Sequence, residues 1–382
     1  MDLLIVGAGL FGLTVAEQAA NSGHMVTVID KRDHIGGNAY SYFDSETNIE
    51  VHKYGSHLFH TSNQRVWEYA NRFTRFNNYQ HRVFSRHANS VFSLPINLAT
   101  INQFFNRDMN PEDAKKFIES KTIGLDPSLA RNFEERGIAL IGKELYDAFI
   151  KNYTQKQWQT EAKLLPAEII NRLPVRYNYD NRYFSDRWEG LPLDGYGKWF
   201  EKMIDHPNIT VVLNNDFFDS KNRFSKKHIN RDVMTVYTGP LDKYFDFCLG
   251  ELSWRTLDFQ TEILEVRDYQ GTSVMNYADL NVPFTRIHEY KHLHPEREQI
   301  YSQNSTVISR EFSRVATVND EPYYPVDSQF DRQMISKYRD LMKAEGKRNV
   351  YFGGRLGTYR YLDMHMAIGA ALTFWNKYVS NE

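Results

Sequence analysis

The chain has 382 residues, 41% hydrophobic and 25% charged, with 46 Lys and Arg against 48 Asp and Glu. That length exceeds one small core and implies two or three packed units. The near-even balance, net −2, gives no electrostatic reason to expect nucleic acid as a partner. The single cysteine, Cys248, excludes an internal disulfide framework, a dithiol redox pair and a cysteine-based zinc site, and it fits a reducing cytoplasm.

No run reaches the ~18 apolar residues of a membrane span. Leu3 to Ala16 imitates a signal peptide, yet it lacks a basic start and carries three glycines at meaningful spacing. It is read here as structure. Residues 2–6 (DLLIV) predict a strand, Gly7-Ala-Gly9-Leu-Phe-Gly12 a tight turn, and the stretch to Ser22 a helix. A turn at Gly23-His24 leads to a second strand, Met25–Ile29, ending at Asp30. This strand–turn–helix–strand unit, with an acid about 20 residues beyond the glycines, is the dinucleotide-binding pattern. Gly7 permits the turn, Gly9 lets a pyrophosphate approach the backbone, and Gly12 lets helix and strand pack closely. The helix N-terminus offers free N–H groups to phosphates, and Asp30 is placed to accept from ribose hydroxyls. A second glycine pair, Gly36-Gly37 before Asn38, and a C-terminal GGR turn ahead of Asp363 suggest that the chain returns to one extended ligand. That suits FAD; there is no second G-x-G-x-x-G for a nicotinamide domain.

Residues 97–160 read as helical. Asn110-Pro111-Glu112 marks a helix start, and Ile141, Leu145, Phe149 and Tyr153 recur every fourth residue as one apolar stripe. From Trp254 to Phe312 the pattern alternates, as antiparallel strands with one covered face do. His288-Glu-Tyr-Lys-His292 spells H-E-x-x-H, but its flanks read as strand. At ~3.3 Å per residue the histidines would stand about 13 Å apart, too far to share a zinc. No metal is expected. Asn349–Arg355 reads as a buried strand and turn, and Met364–Trp375 as an apolar helix.

Several longer blocks carry a resemblance that runs nearly end to end: HIGGNAY (34–40), YGSHLFHT (54–61), GKELYDAFIKNYTQKQW (142–158), INRLPVRYNYDNRYF (170–184), VPFTRIHEYKH (282–292), EPYYPV (321–326) and GGRLGTYRYLDM (353–364). Together they resemble the bacterial UDP-galactopyranose mutases. The resemblance implies an α/β fold: a discontinuous FAD-binding Rossmann-like domain with a helical cluster and an antiparallel β-sheet domain. In this numbering the FAD-binding parts are 1–80, 193–250 and 335–382, the helical domain with a mobile substrate loop is 97–172, and the sheet is 173–192 with 254–326. It also implies a cytoplasmic homodimer serving cell-surface polysaccharide biosynthesis, activated by NAD(P)H or another reductant.

The implied reaction exchanges the pyranose and furanose forms of a UDP-sugar, with reduced flavin forming an N5–sugar adduct and no net redox change. By position, Arg172 on the mobile loop and Arg286 on the sheet meet the diphosphate, as guanidinium forks suit. Tyr183, Tyr324 and Tyr361 bond the same phosphates, Tyr153 stacks on uracil with Trp158 beside it, and Asn276 meets the sugar. His57, His60, Arg355, Tyr361, Asp363 and Met364 surround the flavin and the reacting centre. Asn152 and Gln159 replace the family's usual glycines, and His81 stands where some members have asparagine near the nucleotide. These departures leave UDP-N-acetylgalactosamine or a dTDP-linked deoxy sugar open as alternatives. An amine-oxidase-like flavin oxidoreductase and a GDP-dissociation-inhibitor-like binding protein share the fold type.

Overall fold

A computed structural model describes residues 2–172, 175–230, 232–301 and 304–378, of which Glu168, Asn171, Arg172 and Tyr378 are described by backbone alone. β1 (Asp2–Val6), α1 (Leu10–Asn21) and β2 (Met25–Ile29) follow the predicted order. β1 lies at the middle of a five-stranded sheet ordered Val350–Phe352, Met234–Tyr237, β1, β2 and Ile209–Val212. Every pairing in it is parallel. Parallel sheets are covered on both faces: Leu3 and Ile5 belong to a core with α1, the helix Tyr196–Ile204 and the helix Met364–Tyr378, while Leu4 and Val6 face Tyr237, Tyr338 and Phe352.

The second sheet has seven strands, ordered Tyr324–Pro325, Trp254–Leu264, Thr306–Val315, Arg286–Glu289, Val274–Tyr277, Val83–His87 and Ser90–Leu94. All its neighbours are antiparallel except Val274–Tyr277 with Val83–His87. Val83–Leu94 thus joins the sheet although the sequence partition left it between segments. Trp188–Gly190 pairs instead with Phe59–Thr61. The H-E-x-x-H stretch is strand only to Glu289, and Tyr290–Leu293 closes into a short 3-10 turn. The two histidines take separate partners: His288 bonds Ser56 and Glu311, and His292 bonds Asp268.

The helical region is a cluster of short helices. Asn110 caps one of them, accepting from the Asp113 N–H at 2.9 Å with Pro111 in the first turn, as expected. The fourfold apolar stripe does not survive intact. One helix ends at Ile141, before Gly142 at φ +80°, and Tyr146–Lys151 forms a π-helical turn. The wider turn changes the angular step per residue. Ile141, Leu145 and Phe149 stay in the helical core, whereas Tyr153 leaves the stripe and reaches Arg286.

Glu50 fastens the dinucleotide side to the sheet side. Its buried carboxylate accepts from Ser41 Oγ at 2.5 Å, from Tyr196 N–H at 3.1 Å and from the Arg297 guanidinium at 2.7 Å. Burial alone would raise its pKa, but the bonds from His294 and Ser41 and the charges of His52 and His294 hold it well below the usual 4.5. A depressed folded-state value contributes stability above the unfolded-state pKa that is lost as pH falls. Glu50→Ala, which strands Arg297, is expected to cost ~3–5 kcal/mol in urea unfolding at pH 7. The acid sensitivity of stability below about pH 4.5 should shrink in the same variant.

Candidate functional site

At the carboxyl ends of the parallel strands lies a cavity of about 370 Å³, where open α/β sheets take ligands. Gly7, Gly9, Gly12, Asp30, Gly36, Gly37, Asn38, His57, Arg355, Asp363 and Met364 all line it. Gly7 sits at φ +109°, and a side chain at Gly12 would collide with the Gly7 carbonyl. Gly9 caps α1 without a side-chain hydrogen bond, and the first turn holds no acid. Its N–H groups and positive dipole end are therefore available to a pyrophosphate. Asp30 is gripped from both sides, by Ala8 N–H on Oδ2 at 2.8 Å and Arg32 N–H on Oδ1 at 2.9 Å. Each oxygen keeps a lone pair for a ribose hydroxyl. Arg32 also bonds Asn38 Oδ1 and Glu321, so a loop from the second sheet closes this end of the cavity. The donor set fits a dinucleotide.

Arg355 spends its guanidinium differently from a ligand clamp. It donates to the carbonyls of Leu362 and Tyr323, and lies 5.6 and 5.1 Å from the ring centres of Tyr324 and Tyr361. Those two rings stack 5.9 Å apart. Arg355 therefore shapes the wall between the dinucleotide cavity and the sheet, and Tyr361 stands on the sheet side of that wall. His57, bonded through Nδ1 to the Gly55 carbonyl, is pushed down to about 4 by burial, with Arg355 adding to the effect. It is neutral at physiological pH.

Arg286 is the centre of the sheet side. Its Nη2 donates to Tyr153 Oη at 2.7 Å and its Nε lies 3.2 Å from Glu311 Oε1. Glu311 is buried and also faces His288 Nε2 at 3.0 Å. Burial would raise the Glu311 carboxyl, but Arg286 and His288 hold it below its ordinary value. Asn276 is the register partner of Arg286, and its Oδ1 is buried without a hydrogen-bond partner among the described residues. An orphaned acceptor there costs free energy unless a ligand hydroxyl supplies the donor.

His81 is buried, bonded to Tyr79 Oη, and pushed down to about 3 by burial with Arg286 adding to it. Tyr183 is half exposed, with its ring edge-on to His81. His60 Nδ1 bonds Asp186 at 2.6 Å, and its ring stacks on Phe184. Trp158 ends the helix Asn152–Trp158 and packs against the helical core. The Arg172 side chain lies outside the described residues, as do Leu173 and Pro174. The stretch leading to it is docked: Ala162, Leu165, Ala167 and Ile170 are buried in the helical core.

The family model for UDP-galactopyranose mutase matches residues 148–361, more than half the chain. The chain belongs to the UDP-galactopyranose mutase family. A model for an NAD(P)-binding Rossmann-like domain matches residues 5–73. The chain is 43% identical to the "Probable UDP-galactopyranose mutase" of Klebsiella pneumoniae, over 100% of this chain and 95% of that one. It is 39% identical to the dTDP-fucopyranose mutase of Escherichia coli, over 99% and 98%. A crystal structure of reduced UDP-galactopyranose mutase superposes with TM-score 0.72 at 15% identity, covering 100% of this chain and 94% of that one, which shows a shared fold. The family is one of isomerases, and the cavity agrees with it on FAD as the cofactor.

Glu311 and Asp186 escaped the sequence reading. For Glu311 a signal existed: along Ser309-Arg-Glu-Phe-Ser313 the polar residues with small or acidic side chains are buried, while Arg310, Phe312 and Arg314 are more open. A strand whose covered face is polar is a site signal, because buried polar groups need partners. Removing the Glu311 carboxylate frees Arg286 from its fixed orientation. Glu311→Ala is expected to weaken UDP binding at least about tenfold while flavin content is unchanged, measured by calorimetry and flavin absorbance.

Proposed function

We propose that the protein is an FAD-dependent mutase interconverting the pyranose and furanose forms of a UDP-sugar, UDP-galactose first among them. The observation that carries this reading is the pairing of Arg286, held by Glu311 and Tyr153, with the unpartnered Asn276 acceptor directly opposite. A cationic fork beside an orphaned amide acceptor fits a diphosphate joined to a hydroxylated ring. Reduced FAD, when bound, supplies an electron-rich N5 toward the anomeric carbon, and no electrons are consumed overall.

The protein's own residues do the holding. Arg286 binds the diphosphate while it is a leaving group and keeps it for recapture, with Arg172 as its partner from the loop. Because Arg286 donates to Tyr153 Oη, the Tyr153 hydroxyl proton is free to point at the nucleotide. Tyr183, Tyr324 and Tyr361 offer further hydroxyls to phosphate. Trp158 stands beside the base, and Asn276 fixes a sugar hydroxyl. His57 and His60 flank the reacting centre, and neutral His57 can accept a hydrogen bond there without adding charge. Arg355 keeps the Tyr324–Tyr361 wall in place.

A dTDP-deoxy sugar is the second reading. The Escherichia coli relative is named for one, and His81 lies buried next to Arg286 where it can reward a different sugar or base. The single cysteine supports a cytoplasmic setting, and no helix among the described residues is long and apolar enough to cross a membrane. A homodimer, an external reductant and a part in polysaccharide assembly come with the family resemblance.

Two expected outcomes follow from this reading. Incubated anaerobically after one reduction, the enzyme should convert many equivalents of UDP-galactopyranose to the furanose, resolved chromatographically beside UDP-N-acetylgalactosamine and dTDP sugars. Reductant consumed in proportion to product would return the chain to the oxidoreductases. Arg286→Ala should lose at least about tenfold in kcat/KM with flavin retained; wild-type turnover in that variant would remove Arg286 from the site.

A further inference from the structure

The helix Asn152–Trp158 brings Tyr153 to Arg286, and Lys156, three residues on, projects from the same face. Lys156 is only 7% exposed. Its Nζ donates into a ring of main-chain carbonyls: Tyr277 at 2.6 Å, Asp279 at 2.9 Å, Val282 at 3.0 Å and Phe284 at 3.0 Å. Tyr277 ends the strand Val274–Tyr277, and the other three carbonyls belong to the connection from it to the strand Arg286–Glu289. Lysine is almost never buried unless it is paired, and no carboxylate among the described residues forms an ion pair with this one. The nearby Asp279 side chain is occupied by His87 and the Ala88 N–H. Three ammonium protons shared among four carbonyls satisfy the cation with backbone alone.

The position of that ring is what gives it meaning. Tyr277 directly follows Asn276, and Phe284 lies two residues before Arg286, so Lys156 grips both arms of the hairpin that presents this pair. A third link, Ser313 Oγ to the Gln157 carbonyl at 2.6 Å, docks the same helix on the strand that carries Glu311. We infer that Lys156 is a positioning residue of the nucleotide site: its ammonium, seated in the hairpin carbonyls, sets the spacing between the helix bearing Tyr153 and the hairpin bearing Asn276 and Arg286. The inference rests on the proposed nucleotide-sugar reading and adds to it the element that holds the two walls of the site in register.

Lys156 does not line the dinucleotide cavity and acts on Arg286 and Asn276 only through the hairpin that carries them, so its loss should fall mainly on binding of the nucleotide sugar. In the FAD-loaded full-length enzyme, Lys156→Met should raise the UDP dissociation constant, and KM with it, at least about tenfold, since the lost contacts involve a charged donor. The kcat at saturation should stay within about threefold, with flavin content unchanged. Lys156→Arg keeps a cation in the ring and should bind UDP more tightly than the Met variant. If Lys156→Met fails to fold, the comparison passes to Lys156→Arg against Lys156→Gln, with the same order expected. UDP affinity at the wild-type level in the Met or Gln variant overturns the inference. So does a fall in kcat with KM unchanged, or an Arg variant no better than the neutral one. Absence of UDP binding by the unaltered enzyme would instead overturn the functional reading, and this inference with it.

Discussion

The ion pair between Arg286 and Glu311 is the constraint around which the ligand side of this molecule is arranged. A guanidinium that is to hold a diphosphate, the role proposed for Arg286, must be fixed in direction yet keep donors free. Glu311 takes only the Nε side of Arg286, and its second oxygen is occupied by His288. His288 is tied in turn to Ser56 in the loop that carries His57. One buried carboxylate thus links the sheet to the wall of the dinucleotide cavity. Breaking a buried pair is far more costly than never having made it, which makes this link a poor place for sequence change.

The dinucleotide side was legible because its signals are local. Three glycines, an apolar strand on each flank and an acid at Asp30 constrain one another within some thirty residues, and β1, α1 and β2 appear where they were expected. The alternating stretch from Trp254 announced strands for the same reason. The H-E-x-x-H stretch was legible only in part: strand character ends at Glu289, since a period of two says nothing about where a chain bends. The stripe from Ile141 to Tyr153 misled because the fourfold spacing assumes an unbroken α-helix. Gly142 and the π-helical turn break it, and the residue released from the stripe, Tyr153, is the one that accepts from Arg286.

Glu311, Asp186 and Lys156 were harder to see for a different reason. Their partners are 23 to 128 residues away in the chain, and no local window contains both ends of such a contact. A lysine in Asn-Tyr-Thr-Gln-Lys-Gln-Trp reads as solvated until the carbonyls of the hairpin are in view. Resemblance over long blocks supplied names for Arg286, Tyr153 and Asn276, but it did not supply the groups that hold them still. Packing and hydrogen bonding supply those.

Charge at the site follows one rule. His57, His81 and His288 all have their proton affinity lowered, by burial first and then by a neighbouring arginine. His57 and His81, pushed down to about 4 and about 3, offer a hydrogen bond and no charge at neutral pH. In the proposed site the cationic character offered to a diphosphate is left to guanidinium groups, which do not titrate in the working range. A leaving group that must be released and then recaptured needs an attraction of constant strength. Protonated imidazoles would make that attraction swing with each change of pH between 5 and 8. Keeping His57 and His81 neutral removes that swing from their side of the proposed site, and Glu311 fixes the direction of the guanidinium that remains.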